Sequence, residues 1–127
     1  HGVEIVPEPL NRYGQWWPVT LQHGLDICHD VGRPGVGGMA DFFHMNIEEA
    51  DIGAAIRAAG SLVRDVHLAD SNRLWPGSGH TDFRPGFAAL KAIGYAHPMA
   101  FECGTPGDRF AEFAKSMAYL RQAWNEA

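Results

Sequence analysis

The sequence is poor in three things, and each shortage narrows the possibilities. It has two cysteines, Cys28 and Cys103. That is too few for a disulfide framework and fits a reduced, cytoplasmic setting. It has no basic cluster: Lys and Arg total 10 against 15 Asp and Glu, for a formal net charge of −5. A nucleic-acid partner, whose phosphates need concentrated positive charge, is therefore not expected. It has no apolar run near the roughly 18 residues of a membrane-spanning helix, so a membrane partner is not expected either. The opening HGVEIVPEP has neither the basic region nor the apolar core of a signal peptide. Beginning at His1, the chain is expected to be processed or to be part of a longer product.

What is present suits one globular domain. The 127 residues are 46% hydrophobic and 20% charged. Val3 to Val6 is a short β-rich run stopped by Pro7-Glu8-Pro9. Pro18 to Val31 carries Leu21, Leu25, Ile27, Cys28 and Val31 at helical spacing, with Gly32 as its stop. Val36 to Phe43 reads as a strand, Ile47 to Ala59 as a helix, and Leu62 to Ala69 as a strand. Phe83 to Ile93 reads as a helix with Pro85 in its first turn, Met99 to Cys103 as a strand, and Asp108 to Trp124 as a helix.

The order β-α-β-α-β-α-β-α implies parallel strands joined by right-handed crossovers. Four βα units fit a small open doubly wound sheet or half of a (β/α)8 barrel, which usually takes about 250 residues. An open four-stranded sheet would leave two bare edges.

Each of the four strands delivers an ionisable group near its C-terminal end: Glu8, then Asp41 with His44, then His67 with Asp70 and Arg73, then Glu102. Active sites of α/β proteins assemble at that end. Taken singly, Glu8 or Asp41 reads as a helix cap or loop acid, and His67 as a core histidine. Together they place three carboxylates and an imidazole on one rim. Burying those acids is costly without a compensating cation. The set suits Mn2+, Mg2+ or Co2+.

The stretches EPLNRY (Glu8–Tyr13), ADFFHMNIEE (Ala40–Glu49), HLADSNRLWPGSGHTDF (His67–Phe83) and AFECG (Ala100–Gly104) resemble the xylose-isomerase-like sugar isomerase/epimerase superfamily, and within it the ketose 3-epimerases. The likeness runs in order through nearly the whole chain but corresponds to the second half of such enzymes, strands five to eight of a TIM barrel. The resemblance implies an α/β fold, a (β/α)4 half of that barrel forming one unit over residues 1–127. It implies metal ligands at Glu8, Asp41, His67 and Glu102, with the two glutamates also transferring protons. It implies substrate contacts from His44 and Arg73. The expected activity is epimerisation or isomerisation of a ketose through an enediolate. The expected cofactor is a divalent metal ion, Mn2+ first, with Mg2+, Co2+ or Zn2+ as alternatives. The expected partners are a sugar and a second copy of the chain, because a homodimer of half-barrels removes the bare edges.

The likeness departs from the pattern at Gly14, where the epimerases carry a substrate-contacting Glu. Other readings are a metal-binding scaffold without turnover, a keto-inositol dehydratase-like lyase, and a hydrolytic relative of the endonuclease IV kind. The last needs more histidines. His23, His29 and His97 read as solvated or capping residues, and His80 as loop packing or pocket rim. Cys103 reads as core by strand alternation. Trp16, Trp17 and Trp75 read as sugar-stacking or packing surfaces. Asp70 is a partner of the site or a loop cap, and IEEAD (Ile47–Asp51) the acidic start of a helix.

Overall fold

The computed structural model describes residues 2–127. Its sheet contains three parallel strands in sequence order: β1 (Gly38–Asp41), β2 (Val63–Leu68) and β3 (Met99–Phe101). Helices α1 (Leu21–Val31), α2 (Phe42–Glu48), α3 (Ile52–Ala59), α4 (Arg84–Ala92) and α5 (Arg109–Glu126) connect and cover them. The register pairs Asp41 with His67, and His67 with Ala100. The rim residues of neighbouring strands therefore lie side by side.

The expected first strand is reduced to one parallel bridge, Ile5 with Val36. Ile5 and Val3 stay 64% and 72% exposed, so apolar burial does not lock the segment down. The architecture is an open half-barrel: three paired strands, a fourth position held at Ile5, and helices over the outer face. Among the described residues no helix is long and apolar enough to cross a membrane.

Alternation places Val66 and Leu68 in the core against the helices, while His67 and Asp65 stay half-buried on the other face. Phe42, Phe83 and Phe87 form the aromatic centre, with Phe42 and Phe83 stacked at 5.6 Å and Phe87 tilted against Phe42 at 5.7 Å. Phe42 follows the rim acid Asp41 directly. Its ring fills a notch at Gly86 of α4, where an added Cβ would stand 2.4 Å from Phe42 Cε1. That close contact fixes the direction in which the chain leaves β1.

Two boundaries differ from the sequence reading. The strand expected to reach Phe43 stops at Asp41, because Asp41 caps a new helix there. The single helix expected over Ile47–Ala59 is two. Glu48 and Glu49 end the first rather than starting the second. Glu48 accepts from Arg12 Nε at 2.9 Å, and Glu49 accepts from the Leu21 N–H at 2.7 Å. Asp51 then caps α3, accepting from the Ala54 N–H at 2.8 Å. His23 is a capping residue: its ring faces the Thr20 N–H while Thr20 accepts from the His23 N–H.

Candidate metal centre

Glu8, Asp41, His67 and Glu102 converge. Each offers one ligand atom, and these atoms lie within 4.8 Å of one another. Chain position explains the convergence. Glu8 follows the Ile5 bridge, Asp41 ends β1, His67 is the penultimate residue of β2, and Glu102 follows β3.

Asp41 is the most buried member, 2% exposed. Its Oδ1 accepts from the Phe43 and His44 N–H groups at 2.8 and 3.2 Å, and Arg73 Nη1 lies 2.8 Å from both its oxygens. Burial pushes its carboxyl up from the ordinary range, against the pull of Arg73. His67 Nδ1 lies 2.9 Å from Glu102 Oε2 and 3.8 Å from Asp41 Oδ2. Arg73 Nη2 also donates to Glu102. Burial raises the Glu102 carboxyl, but hydrogen bonding to Asp41, the Arg73 charge and His67 outweigh it and leave Glu102 below the usual range.

Glu8 is held differently. Burial raises its carboxyl, and the like charges of Glu102 and Asp41 raise it further. Its Oε1 is buried without a hydrogen-bond partner. His44 Nε2 lies 3.9 Å from it, beyond hydrogen-bond reach. An orphaned carboxylate oxygen beside two more carboxylates and an imidazole is what a divalent cation would satisfy. The donor set, three acids and one histidine, fits such an ion.

Arg73 has an unusual backbone for a side chain of its size, with φ 58°. The loop enforces it. Arg73 N donates to Asp70 O at 2.8 Å, and Gly104 N donates to Arg73 O at 2.7 Å. The guanidinium also sits 4.7 Å from the Phe43 ring centroid. So Arg73 reaches the rim from a pinned loop, between Asp41 and Glu102.

Asp70 is a loop cap. It accepts from the Ser71 N–H at 2.7 Å, Thr81 N–H at 2.9 Å and Gly77 N–H at 2.7 Å. Burial raises its carboxyl, but these backbone donors, with Gly79, bring it below the usual range. His80 is exposed, its Nδ1 3.1 Å from Ser71 Oγ. Trp75 is buried against Phe101 and Phe113, at 5.7 and 6.4 Å, which makes it a packing residue. Trp16, at 89% exposure, lies open. Cys103 is half-buried rather than core, since β3 ends before alternation reaches it.

Sequence reasoning missed Asn11. It is 6% exposed, and its backbone N and its Nδ2 lie 3.0 and 2.9 Å from His44 Nδ1. A buried amide three residues after Glu8, within EPLNRY, was the available signal.

Comparison with known proteins gives a consistent picture. Residues 1–123 match the family model described as xylose isomerase-like TIM barrel. The chain is 37% identical over 123 residues to an L-ribulose 3-epimerase of Mesorhizobium japonicum, covering 97% of this chain and 41% of the relative. It is 41% identical over 101 residues to a D-psicose 3-epimerase of Ruminiclostridium cellulolyticum, covering 80% of this chain and 34% of the relative. A solved structure of L-ribulose 3-epimerase superposes with TM-score 0.91 at 32% identity, over 98% of this chain and 48% of that one. The chain thus spans less than half the length of these relatives.

Proposed function

The chain belongs to the xylose isomerase-like TIM barrel family, and on that premise we propose that it is the metal-binding half of a ketose epimerase. The observation that carries this reading is the cluster at Glu8, Asp41, His67 and Glu102, with its orphaned Glu8 oxygen. These four residues are the proposed ligands, and Mn2+ is the proposed ion, with Mg2+, Co2+ or Zn2+ as alternatives. A bound divalent ion supplies Lewis-acid stabilisation of the negative charge that develops when a carbon next to a carbonyl loses its proton.

The chain's own residues do the rest. Glu102 and Glu8 stand at the last and first of the four strand positions, so one can take a proton from a substrate carbon while the other returns one on the opposite face. Proton transfer of this kind passes through an enediolate. Arg73 offers several donors to a substrate hydroxyl or a developing oxyanion. His44 donates to a hydroxyl. A ketose is the proposed substrate class, in line with the names of the relatives.

The unit over residues 1–127 is proposed to be a half-barrel that needs a second half. A second copy is the proposed partner. The bare edges at Ile5 and β3, and an apolar groove of about 450 Å3 between Met99, Phe101, Leu120 and Trp124, favour such pairing. Light scattering tests it: a dimer is expected, and a clean monomer overturns it.

The test of function is deuterium wash-in from heavy water into ketoses, measured by mass spectrometry with Mn2+ present. Exchange is expected and is lost by about 10²- to 10⁴-fold in Glu8→Gln and Glu102→Gln. Metal binding with no exchange into any ketose overturns the epimerase reading and leaves a metal-binding scaffold.

A further inference from the structure

The loop after Glu8 does more than carry that acid to the rim. Asn11 is buried beneath His44, and every polar group it has is used. Its Oδ1 accepts from the Tyr13 N–H at 3.0 Å, and its carbonyl accepts from the Gly14 N–H at 2.9 Å. Its backbone N and its Nδ2 both face His44 Nδ1, at 3.0 and 2.9 Å. The loop is tied to the helix that carries His44, since the Arg12 N–H and Nε both donate to Glu48 Oε1, at 2.7 and 2.9 Å.

These contacts decide where the imidazole proton sits. A backbone N–H can only donate, so Nδ1 of His44 must present its lone pair. The Asn11 amide must then turn its NH2 group to the same atom, which leaves Oδ1 free for Tyr13. The two requirements agree. A neutral ring with a lone pair on Nδ1 carries its proton on Nε2. Nε2 faces the cluster, 3.9 Å from Glu8 Oε1.

We propose that Asn11 is a positioning residue that locks His44 as the Nε2–H tautomer. The consequence is twofold. The nitrogen facing the site is always a donor, suited to a substrate oxygen. The ring's one lone pair points away from the carboxylates, so His44 is kept out of the ligand set although it stands beside it. This deepens the proposed function and rests on it for the role of His44. The tautomer itself can be measured without turnover.

The experiment is long-range 1H–15N correlation NMR of the histidine rings at neutral pH, in the metal-free chain. Nδ1 of His44 is expected in the unprotonated range and Nε2 in the protonated range. A coupling across the hydrogen bond from Asn11 Nδ2 to His44 Nδ1 is expected in the same chain. A protonated Nδ1, or no coupling, overturns the proposal. Asn11→Asp keeps the acceptor for Tyr13 but replaces the amide donor with a second acceptor. With the backbone N–H still donating to Nδ1, it is expected to abolish the side-chain coupling and to move the His44 Nδ1 resonance from its wild-type position, while the other histidine signals hold theirs. An unchanged His44 pattern in a folded variant overturns the role of the side chain. Should wild-type chain show the expected tautomer but no isotope exchange, the epimerase reading fails and the lock stands.

Discussion

Two acidic regions of this molecule are opposite in kind. In the loop after β2, Asp70 is 1% exposed, and backbone N–H groups from Ser71, Gly77 and Thr81 satisfy both its oxygens. On the rim, Glu8 has a buried oxygen with nothing to accept from, and Asp41 and Glu102 press on it with like charge. Burial alone does not separate a structural acid from a chemical one. The partners do. Backbone donors make an acid into a staple, and missing donors beside other acids leave it able to take a cation.

The comparison can be broken first at Asp70. Asp70→Asn puts an NH2 group against backbone N–H donors, and stability should fall by about 3 kcal/mol, read by urea unfolding. The pH dependence has the same origin. The folded carboxyl lies below the ordinary aspartate value, so its stabilisation is fully present above that value. It is lost as pH falls through the depressed folded value. Acid unfolding of the wild type should therefore be steeper than that of Asp70→Asn.

The rim should answer to ions instead. Mn2+ at a free concentration of 100 times its dissociation constant should stabilise the fold by about 2.7 kcal/mol, and a chelator should remove the gain in a thermal melt. No gain with any divalent ion would count against the cluster as a metal site.

Gly79→Ala sharpens the loop side of the contrast. Its Cβ would lie 2.4 Å from Asp70 Oδ1 and 2.5 Å from Ser71 Oγ, and the loop should lose about 2 kcal/mol. The smallest effect is expected at Glu8 and has the opposite sign. Glu8→Gln removes a desolvated charge, so the metal-free chain should gain on the order of 1 kcal/mol. It should also bind Mn2+ more weakly by calorimetry. A destabilised Glu8→Gln would place Glu8 in the same class as Asp70.

Much of this was legible in the sequence because it depends on local rules. Strand alternation put Val66 and Leu68 in the core and His67 on the other face. The Pro and Gly punctuation placed α1, α4 and the end of α3. The rim residues were recognisable because parallel strands deliver their C-terminal ends together. What was not legible depends on contacts distant in sequence. Asp41 ends its strand early because it also caps α2. Glu48 and Glu49 look like a helix start but are used by Arg12 and Leu21. The Val3–Val6 run has strand composition, yet only Ile5 pairs, because strand formation depends on burial and packing against neighbours more than on propensity. Asn11 lies within EPLNRY, but its value appears only when His44 is seen above it.

The bare edges have a consequence for handling and for evolution. Unpaired N–H and C=O groups along β3 and beside Ile5 read backbone, and backbone is common to every extended chain. A matching half and an unrelated strand present the same ladder to them. Discrimination must come from what flanks the ladder: the side chains of the apolar groove near Trp124 and the charges on the rim. Variants that improve yield by adding lysine at those edges would also select against the proposed pairing, so on that proposal solubility and pairing should trade off in any library built on this chain.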